Sequence, residues 1–94
     1  MKVIKTAQNL ENVKTPESLT ERELTRALRD AVIGELGAIK QYEVIADATD
    51  NEKIKEVLQD ISDEERVHVG ELQALLKDLL SDEQDLLDEG AKEI

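Results

Sequence analysis

The chain has 94 residues and a formal net charge of −11, from 23 acidic and 12 basic side chains. This negative charge would repel nucleic acid and anionic membranes and attract cations, so neither polymer nor bilayer is an expected partner. The absence of cysteine excludes disulfides and thiolate metal sites within these residues, and Tyr42 as the one aromatic residue disfavours an aromatic-lined ligand pocket.

The first element of the chain is a segment without helical periodicity. Residues 1–19 show no sustained apolar pattern, and Thr15-Pro16 interrupts them, so we expect a flexible N-terminal arm. Thr20 followed three residues later by Glu23 is a capping-box signature, and it predicts the start of a helix. The helical pattern then continues to about Ala48.

A second helix is predicted after a short connection. The segment Thr49-Asp50-Asn51-Glu52 is another capping signature, with Thr49 or Asp50 as the expected cap, and the helical pattern runs to about Leu80. Because only a few residues separate the two helices, they should form an antiparallel hairpin over residues 20–80. Residues 81–94 are predicted to be a short, acidic C-terminal helix or tail, capped within Ser81-Asp82-Glu83-Gln84 and ending near Gly90.

Each long helix carries an apolar row with the alternating three- and four-residue spacing of a bundle core. The row on the first helix comprises Leu24, Leu28, Ala31, Glu35, Ala38, Tyr42 and Ile45. The row on the second comprises Ile54, Leu58, Ile61, Glu65, His68, Leu72, Leu75 and Leu79. Apart from Tyr42, three ionisable residues interrupt these rows: Glu35, Glu65 and His68. Such groups are costly to bury without a compensating charge.

The three ionisable residues should meet at one level of the hairpin. Glu35 and Glu65 each lie about fifteen residues from the turn, which is roughly 22 Å at a rise of 1.5 Å per residue. His68 follows Glu65 by three residues and therefore lies on the same face of its helix. Alternatively, His68 is a core histidine with ordinary hydrogen-bond partners, and the two glutamates face solvent.

One hairpin is half of a four-helix bundle, so we expect a second copy of the chain to cover the two apolar rows. Two copies supply four carboxylates and two imidazoles, which matches the ligands of di-iron carboxylate bundles. Carboxylate and imidazole ligands without thiolate suit iron, two ions per dimer, with manganese and zinc as alternatives. The predicted fold class is all-α: an antiparallel two-helix hairpin with a short C-terminal helix, dimerising into a four-helix bundle.

The stretch from Gly34 to Leu76 resembles the ferritin-like superfamily, and within it the encapsulated ferritins. The residues that carry the resemblance are Glu35 to Tyr42, Ala46-Asp-Ala-Thr-Asp, and Asp63-Glu-Glu-Arg-Val-His68. Rubrerythrin-type domains share much of this pattern. The resemblance implies a di-iron ferroxidase centre between two subunits, with Glu35, Glu65 and His68 as catalytic metal ligands and Glu65 as the bridging ligand. It also places Tyr42 close to the centre, where a core role and a functional role are equally expected.

The resemblance further implies a ring of dimers and association with an encapsulin shell protein, although the family's C-terminal loading tag is not recognised in residues 88–94. The favoured function is therefore ferroxidase activity for iron storage or detoxification. The alternatives are a rubrerythrin-like di-iron peroxidase and a non-catalytic dimerising adaptor. No apolar run is long enough for a signal peptide or a membrane span, so we expect a cytoplasmic protein, with an encapsulin compartment as a candidate location.

Overall fold

The computed structural model describes residues 18–94, most of which are α-helical. Helix α1 spans Glu21–Asp47, α2 spans Glu52–Leu79 and α3 spans Glu83–Lys92, and no strand occurs in this part of the chain. The predicted all-α class is therefore confirmed. The arm predicted for residues 1–19 lies outside the described residues apart from its last two positions. None of the three helices is both long and apolar enough to cross a bilayer.

The two long helices begin with side-chain caps, one as predicted and one not. At α1 the Thr20 hydroxyl accepts from the Glu23 amide at 3.1 Å, and the Glu23 carboxylate accepts from the Thr20 amide at 2.9 Å. At α2 the prediction of Thr49 or Asp50 as the cap is wrong. Asn51 caps the helix by accepting from the Ile54 amide, and Thr49 instead accepts from the Asn51 amide within the connection.

The antiparallel hairpin is closed by a contact between its helix ends. Lys55, in the first turn of α2, donates from Nζ to the carbonyl oxygen of Ala46 at 2.6 Å. The last carbonyls of a helix have no partner within the helix and carry its negative dipole end. The Lys55 ammonium therefore satisfies one acceptor at the end of α1 and ties α2 to it.

The core of the hairpin lies slightly to one side of the predicted rows. Its most buried side chains are Val32 on α1 and Ser62 and Leu76 on α2, with Leu76 only 1% exposed. Two helices packed against each other bury only the side chains between them. The predicted rows are instead the side chains that would face the centre of a four-helix bundle. Predicted row residues such as Leu24 and Leu75 consequently remain partly exposed on one side of the hairpin.

The third helix is held at its first turn by an ion pair. Both terminal nitrogens of Arg29 donate to the Glu83 carboxylate, at 2.8 and 3.0 Å. The side chain of Asp82, at the cap position, makes no capping hydrogen bond. The start of α3 is therefore fixed by a side chain of α1 rather than by the predicted cap, and the helix ends at Lys92, two residues beyond the predicted Gly90.

Candidate metal centre

The structure brings Glu35, Glu65 and His68 together at mid-height of the hairpin. One ligand atom from each lies within 4.8 Å of the others. Glu35 comes from the centre of α1, and the other two come from successive turns of α2. Antiparallel pairing around a short turn places residues equally distant from it at the same level, which accounts for the convergence. No other group of three such residues lies this close within residues 18–94.

The imidazole of His68 lies between the two carboxylates. Its Nδ1 is 3.0 Å from Oε2 of Glu35 and 3.2 Å from Oε1 of Glu65. Ionised carboxylates only accept hydrogen bonds, so Nδ1 carries the proton that is donated to them. The side chains are 27% exposed for Glu35, 16% for Glu65 and 50% for His68. The cluster therefore lies at the edge of the hairpin, with its imidazole open to the outside.

The carboxylates alter the protonation of the histidine. The hydrogen bond to Glu35 raises the pKa of His68, and the negative charges of Glu35 and Glu65 add to it, while partial burial opposes the increase. The imidazolium form is thereby favoured in the metal-free protein, because its positive charge compensates the two glutamates. The proton on Nδ1 lies where a cation would be coordinated by the same three atoms.

The geometry and chemistry of the cluster fit a divalent metal ion. Oxygen and nitrogen ligands bound at about 2.1 Å and at right angles lie about 3 Å from each other, close to the spacings found around Nδ1. Two carboxylates and one imidazole are the ligand types expected for iron, manganese or zinc. Three ligands leave coordination positions free for further groups, so the cluster can hold a metal without filling its coordination shell.

Tyr42 and three acidic residues of the two long helices do not join the cluster. Tyr42 is half-buried and follows Glu35 by seven residues on one face of α1, but no hydrogen bond links it to the three within the described part of the chain. Glu43 faces Arg66 at 3.9 Å. Glu64 and Glu71 on α2 are exposed.

Sequence reasoning missed one residue next to the cluster, Ser62. This serine is 3% exposed and lies one turn before Glu65 on α2, in the strip between the helices. A small side chain there lets the helices approach closely where the carboxylates converge. The only signal in the sequence is that Ser62 precedes Glu65 by three positions and so lies on the same face of the helix. A serine interrupts an apolar pattern less clearly than a charged residue does.

The predicted rows that contain the cluster also carry exposed apolar side chains toward both ends of the hairpin. Leu24 and Ile45 on α1 and Ile54 and Leu75 on α2 belong to the predicted rows that contain the cluster, and all four are exposed. Exposed apolar surface of this kind on a small domain commonly marks an interaction surface. The rows that contain the cluster therefore carry apolar side chains that this single chain leaves uncovered.

Comparison with known proteins identifies relatives of the chain. The sequence pattern of the rubrerythrin family matches residues 23–93. A ferritin-like–encapsulin shell fusion protein of Pyrococcus furiosus is 45% identical over 60 residues, which are 64% of this chain and 17% of that protein. The encapsulin nanocompartment cargo protein EncC of Myxococcus xanthus is 47% identical over 53 residues, which are 56% of this chain and 41% of that protein. The chain thus spans less than half the length of these two relatives.

A solved structure extends the similarity to three dimensions. The crystal structure of the encapsulated ferritin domain from Pyrococcus furiosus superposes with a TM-score of 0.81 at 36% sequence identity. The match covers 88% of this chain and 85% of that domain. The expected resemblance to encapsulated ferritins and rubrerythrin-type domains is therefore confirmed. The chain belongs to the rubrerythrin family and has its ferritin-like helical fold.

Proposed function

We propose that the chain is a ferroxidase that oxidises Fe²⁺ to Fe³⁺ at a centre formed between two copies. The observation that carries this proposal is the cluster of Glu35, Glu65 and His68, whose ligand atoms lie within 4.8 Å of one another. The relatives support it, since one is named a ferritin-like fusion protein and a similar solved structure is an encapsulated ferritin domain. Here Fe²⁺ is the substrate, and its product is released for storage.

A second copy completes the centre in this proposal. Each copy offers only three ligand residues, and the predicted rows that contain them also carry exposed apolar side chains, including Leu24 and Leu75. Covering those side chains with another copy removes apolar surface from water and excludes solvent from the centre. Two copies then supply four carboxylates and two imidazoles, the ligand inventory of a di-iron bundle.

The side chains of the chain have distinct tasks in the reaction. Glu35, Glu65 and Nδ1 of His68 would hold the Fe²⁺ ions, and Glu65, the least exposed of the three, would be the ligand shared between them. The proton on Nδ1 must leave before an ion binds there. Two Fe²⁺ ions together give up two electrons, enough to reduce oxygen to hydrogen peroxide or hydrogen peroxide to water. The net charge of −11 raises the local concentration of cations.

Anaerobic titration with Fe²⁺ followed by addition of oxygen tests this function. We expect saturation near two ions per pair of chains, with oxygen consumed as Fe³⁺ forms. Replacing a ligand, in E65A or H68A, should abolish both binding and oxygen consumption. The matched control is E56A, which removes an exposed carboxylate from the same helix but outside the cluster.

Two outcomes would contradict the ferroxidase proposal. One is a protein that takes up no Fe²⁺, which would favour the non-catalytic adaptor instead. The other is uptake and oxidation that persist unchanged in E65A and H68A, because Fe²⁺ would then react elsewhere on the acidic surface.

The match to the rubrerythrin family favours a second candidate, a peroxidase using the same pair of metal ions. Such an enzyme reacts faster with hydrogen peroxide than with oxygen and needs an external electron donor. The 94 residues contain no cysteine, so a cysteine-ligated iron within them is not the donor. Stopped-flow oxidation of the Fe²⁺-loaded protein with each oxidant separates the two candidates.

The same relatives suggest where the chain works. One is named an encapsulin nanocompartment cargo protein, and the other is a fusion with an encapsulin shell. We infer that this chain is also held inside an encapsulin shell, where released Fe³⁺ accumulates. Co-expression with an encapsulin shell protein should yield closed shells that contain the chain. Empty shells, beside free chain that is fully active in solution, would contradict the inference.

A further inference from the structure

A serine is buried between the two long helices close to the proposed metal centre. Ser62 is 3% exposed, and among residues 18–94 only Leu76 is less exposed. It precedes Glu65 by three residues, so the two side chains share one face of α2. The hairpin buries side chains where its helices meet, so Ser62 is packed against α1. The serine therefore belongs to the contact between the helices, one turn of α2 away from a candidate ligand.

Two contacts on either side of Ser62 show which parts of α1 and α2 lie next to each other. Towards the turn, Nζ of Lys55 donates to the carbonyl oxygen of Ala46. In the other direction, Nδ1 of His68 lies 3.0 Å from Oε2 of Glu35. Ser62 is about midway along α2 between Lys55 and His68, so it faces about the middle of the α1 segment from Glu35 to Ala46. Its size therefore affects the distance between the helices near the cluster.

The size of a side chain at such a contact sets how far apart the helices lie. The axes of packed helices are about 8–10 Å apart, depending on the side chains between them. Serine is small, whereas a leucine or valine inserted into a filled interior shifts the backbone or strains side chains. We expect a leucine at position 62 to move α1 away from α2 by about 1 Å, half of that range.

Only part of the cluster depends on this separation. Glu65 and His68 both lie on α2, so their spacing is fixed by the helix itself. Glu35 lies on α1 and reaches His68 across the contact between the helices. The distance from a metal ion to each ligand must be met within about 0.2 Å. A shift of about 1 Å would therefore remove Glu35 from an ion held by Glu65 and His68.

We propose that Ser62 is a positioning residue for metal binding, whose small side chain keeps α1 close enough for Glu35 to share an ion with the two ligands of α2. The inference rests on the proposed function, because it concerns the same three ligands. Ser62 itself touches no ion and acts through the separation of the helices. A larger residue at this position should therefore lose the contribution of Glu35 and keep that of Glu65 and His68.

NMR of metal-free protein tests the role of Ser62 independently of the proposed function. In the wild type, nuclear Overhauser effects should connect the ring protons of His68 with side-chain protons of both Glu35 and Glu65. S62L should lose the effects to Glu35 and keep those to Glu65. S62A, whose side chain is no larger than that of serine, should keep both. Far-UV circular dichroism shows whether each variant is folded, and S62V, with a smaller increase in size, replaces S62L if S62L is unfolded.

A second measurement gives the affinity for Mn²⁺, from the electron paramagnetic resonance signal of the free ion. S62L should raise Kd about tenfold or more, as the loss of a residue that supports metal ligands commonly does. S62V should raise Kd by less, and S62A should leave it close to the wild-type value. E35A should raise Kd in the wild-type background but change it little in S62L, where Glu35 no longer reaches the ion. A general loss of stability would not cancel the effect of E35A in this way.

The matched control is A46L. Ala46 is half-buried on α1 near the turn, about 16 Å from Glu35 along the helix. This variant enlarges a small side chain of the hairpin, as S62L does, but away from the cluster. It should lower the Tm without changing the Kd for Mn²⁺ or the nuclear Overhauser effects between His68 and Glu35.

Three results would overturn the proposal. These are nuclear Overhauser effects to Glu35 that persist in the enlarged variants, an unchanged Kd in those variants, and an effect of E35A that is as large in S62L as in the wild type. A loss of affinity in S62A equal to that in S62L would also overturn it, because the hydroxyl would then matter rather than the size. A wild-type protein that binds no Mn²⁺ would contradict the proposed function instead, and the NMR comparison would still decide the role of Ser62.

Discussion

Nδ1 of His68 lies 3.0 Å from Oε2 of Glu35, although 33 positions separate the two residues in the chain. The pair joins the middle of α1 to the middle of α2, and Glu65 completes the cluster from the same side. In the absence of metal the contact is a charge-assisted hydrogen bond, which is shorter and stronger than a neutral one. A metal ion and a proton thus compete for one nitrogen atom.

The first prediction concerns this proton. Glu35 raises the pKa of His68, so the stabilisation from the charged pair is fully present below the ordinary histidine value of about 6.5 and is lost as the pH rises through the raised pKa. His68 is the one histidine in the chain, so its NMR titration in metal-free protein is read from a single ring. We expect a midpoint above the ordinary value that falls in E35Q. A midpoint at or below the ordinary value in the wild type would contradict the geometry.

A second prediction concerns stabilisation by metal. A ligand that binds only the folded state raises its stability by an amount set by its concentration, about 2.7 kcal/mol at a hundredfold excess over Kd. Mn²⁺, which is slow to oxidise, should therefore raise the Tm of the wild-type protein, and more so above the pKa of His68. H68A should lose this increase, while E56A should keep it. An equal increase in both variants would place the binding outside the cluster.

A third prediction concerns the attachment of α3. The bidentate hydrogen bond from Arg29 lowers the pKa of Glu83, so the pair stabilises the docked helix fully above the ordinary glutamate value. That stabilisation is lost as the pH falls through the lowered pKa. We expect α3 to be less helical in E83Q at neutral pH, as it should be in the wild type only at acidic pH. The ¹³Cα chemical shifts of residues 83–92 measure this helicity. E89Q is the matched control, and equal shifts in E83Q and wild type at neutral pH would contradict the role of the pair.

A fourth prediction concerns the turn of the hairpin. Lys55 donates to the Ala46 carbonyl at the end of α1, and hydrogen bonds from charged groups contribute about 1.5–3 kcal/mol, less where solvent reaches them. K55M should lower the free energy of unfolding in urea by about 1 kcal/mol. K53M removes an exposed lysine two residues earlier and should change it little. Equal losses in the two variants would mean that the Lys55 contact does not stabilise the turn.

Several features could be predicted from the sequence because they depend on local spacing. The capping box at Thr20 and Glu23 needs only three residues. The convergence of Glu35 and Glu65 follows from their equal distances to the turn, since helical rise is constant. The all-α class follows from the two long periodic patterns. The cap of α2 was misplaced because Thr49, Asp50 and Asn51 are all good cap residues, and only the backbone path selects among them.

Other features depend on contacts that no local pattern encodes. The bond between Arg29 and Glu83 spans 54 positions and fixes the start of α3. The choice of Val32 and Leu76 as the core depends on the rotation of α1 against α2, which is set by side-chain packing along the whole interface. The sequence by itself therefore determined the helices and the level at which the three ionisable residues meet. Only the tertiary structure decided which face of the hairpin is buried, that Nδ1 of His68 faces both glutamates, and which apolar side chains remain exposed. These features depend on the relative rotation and docking of helices distant in sequence.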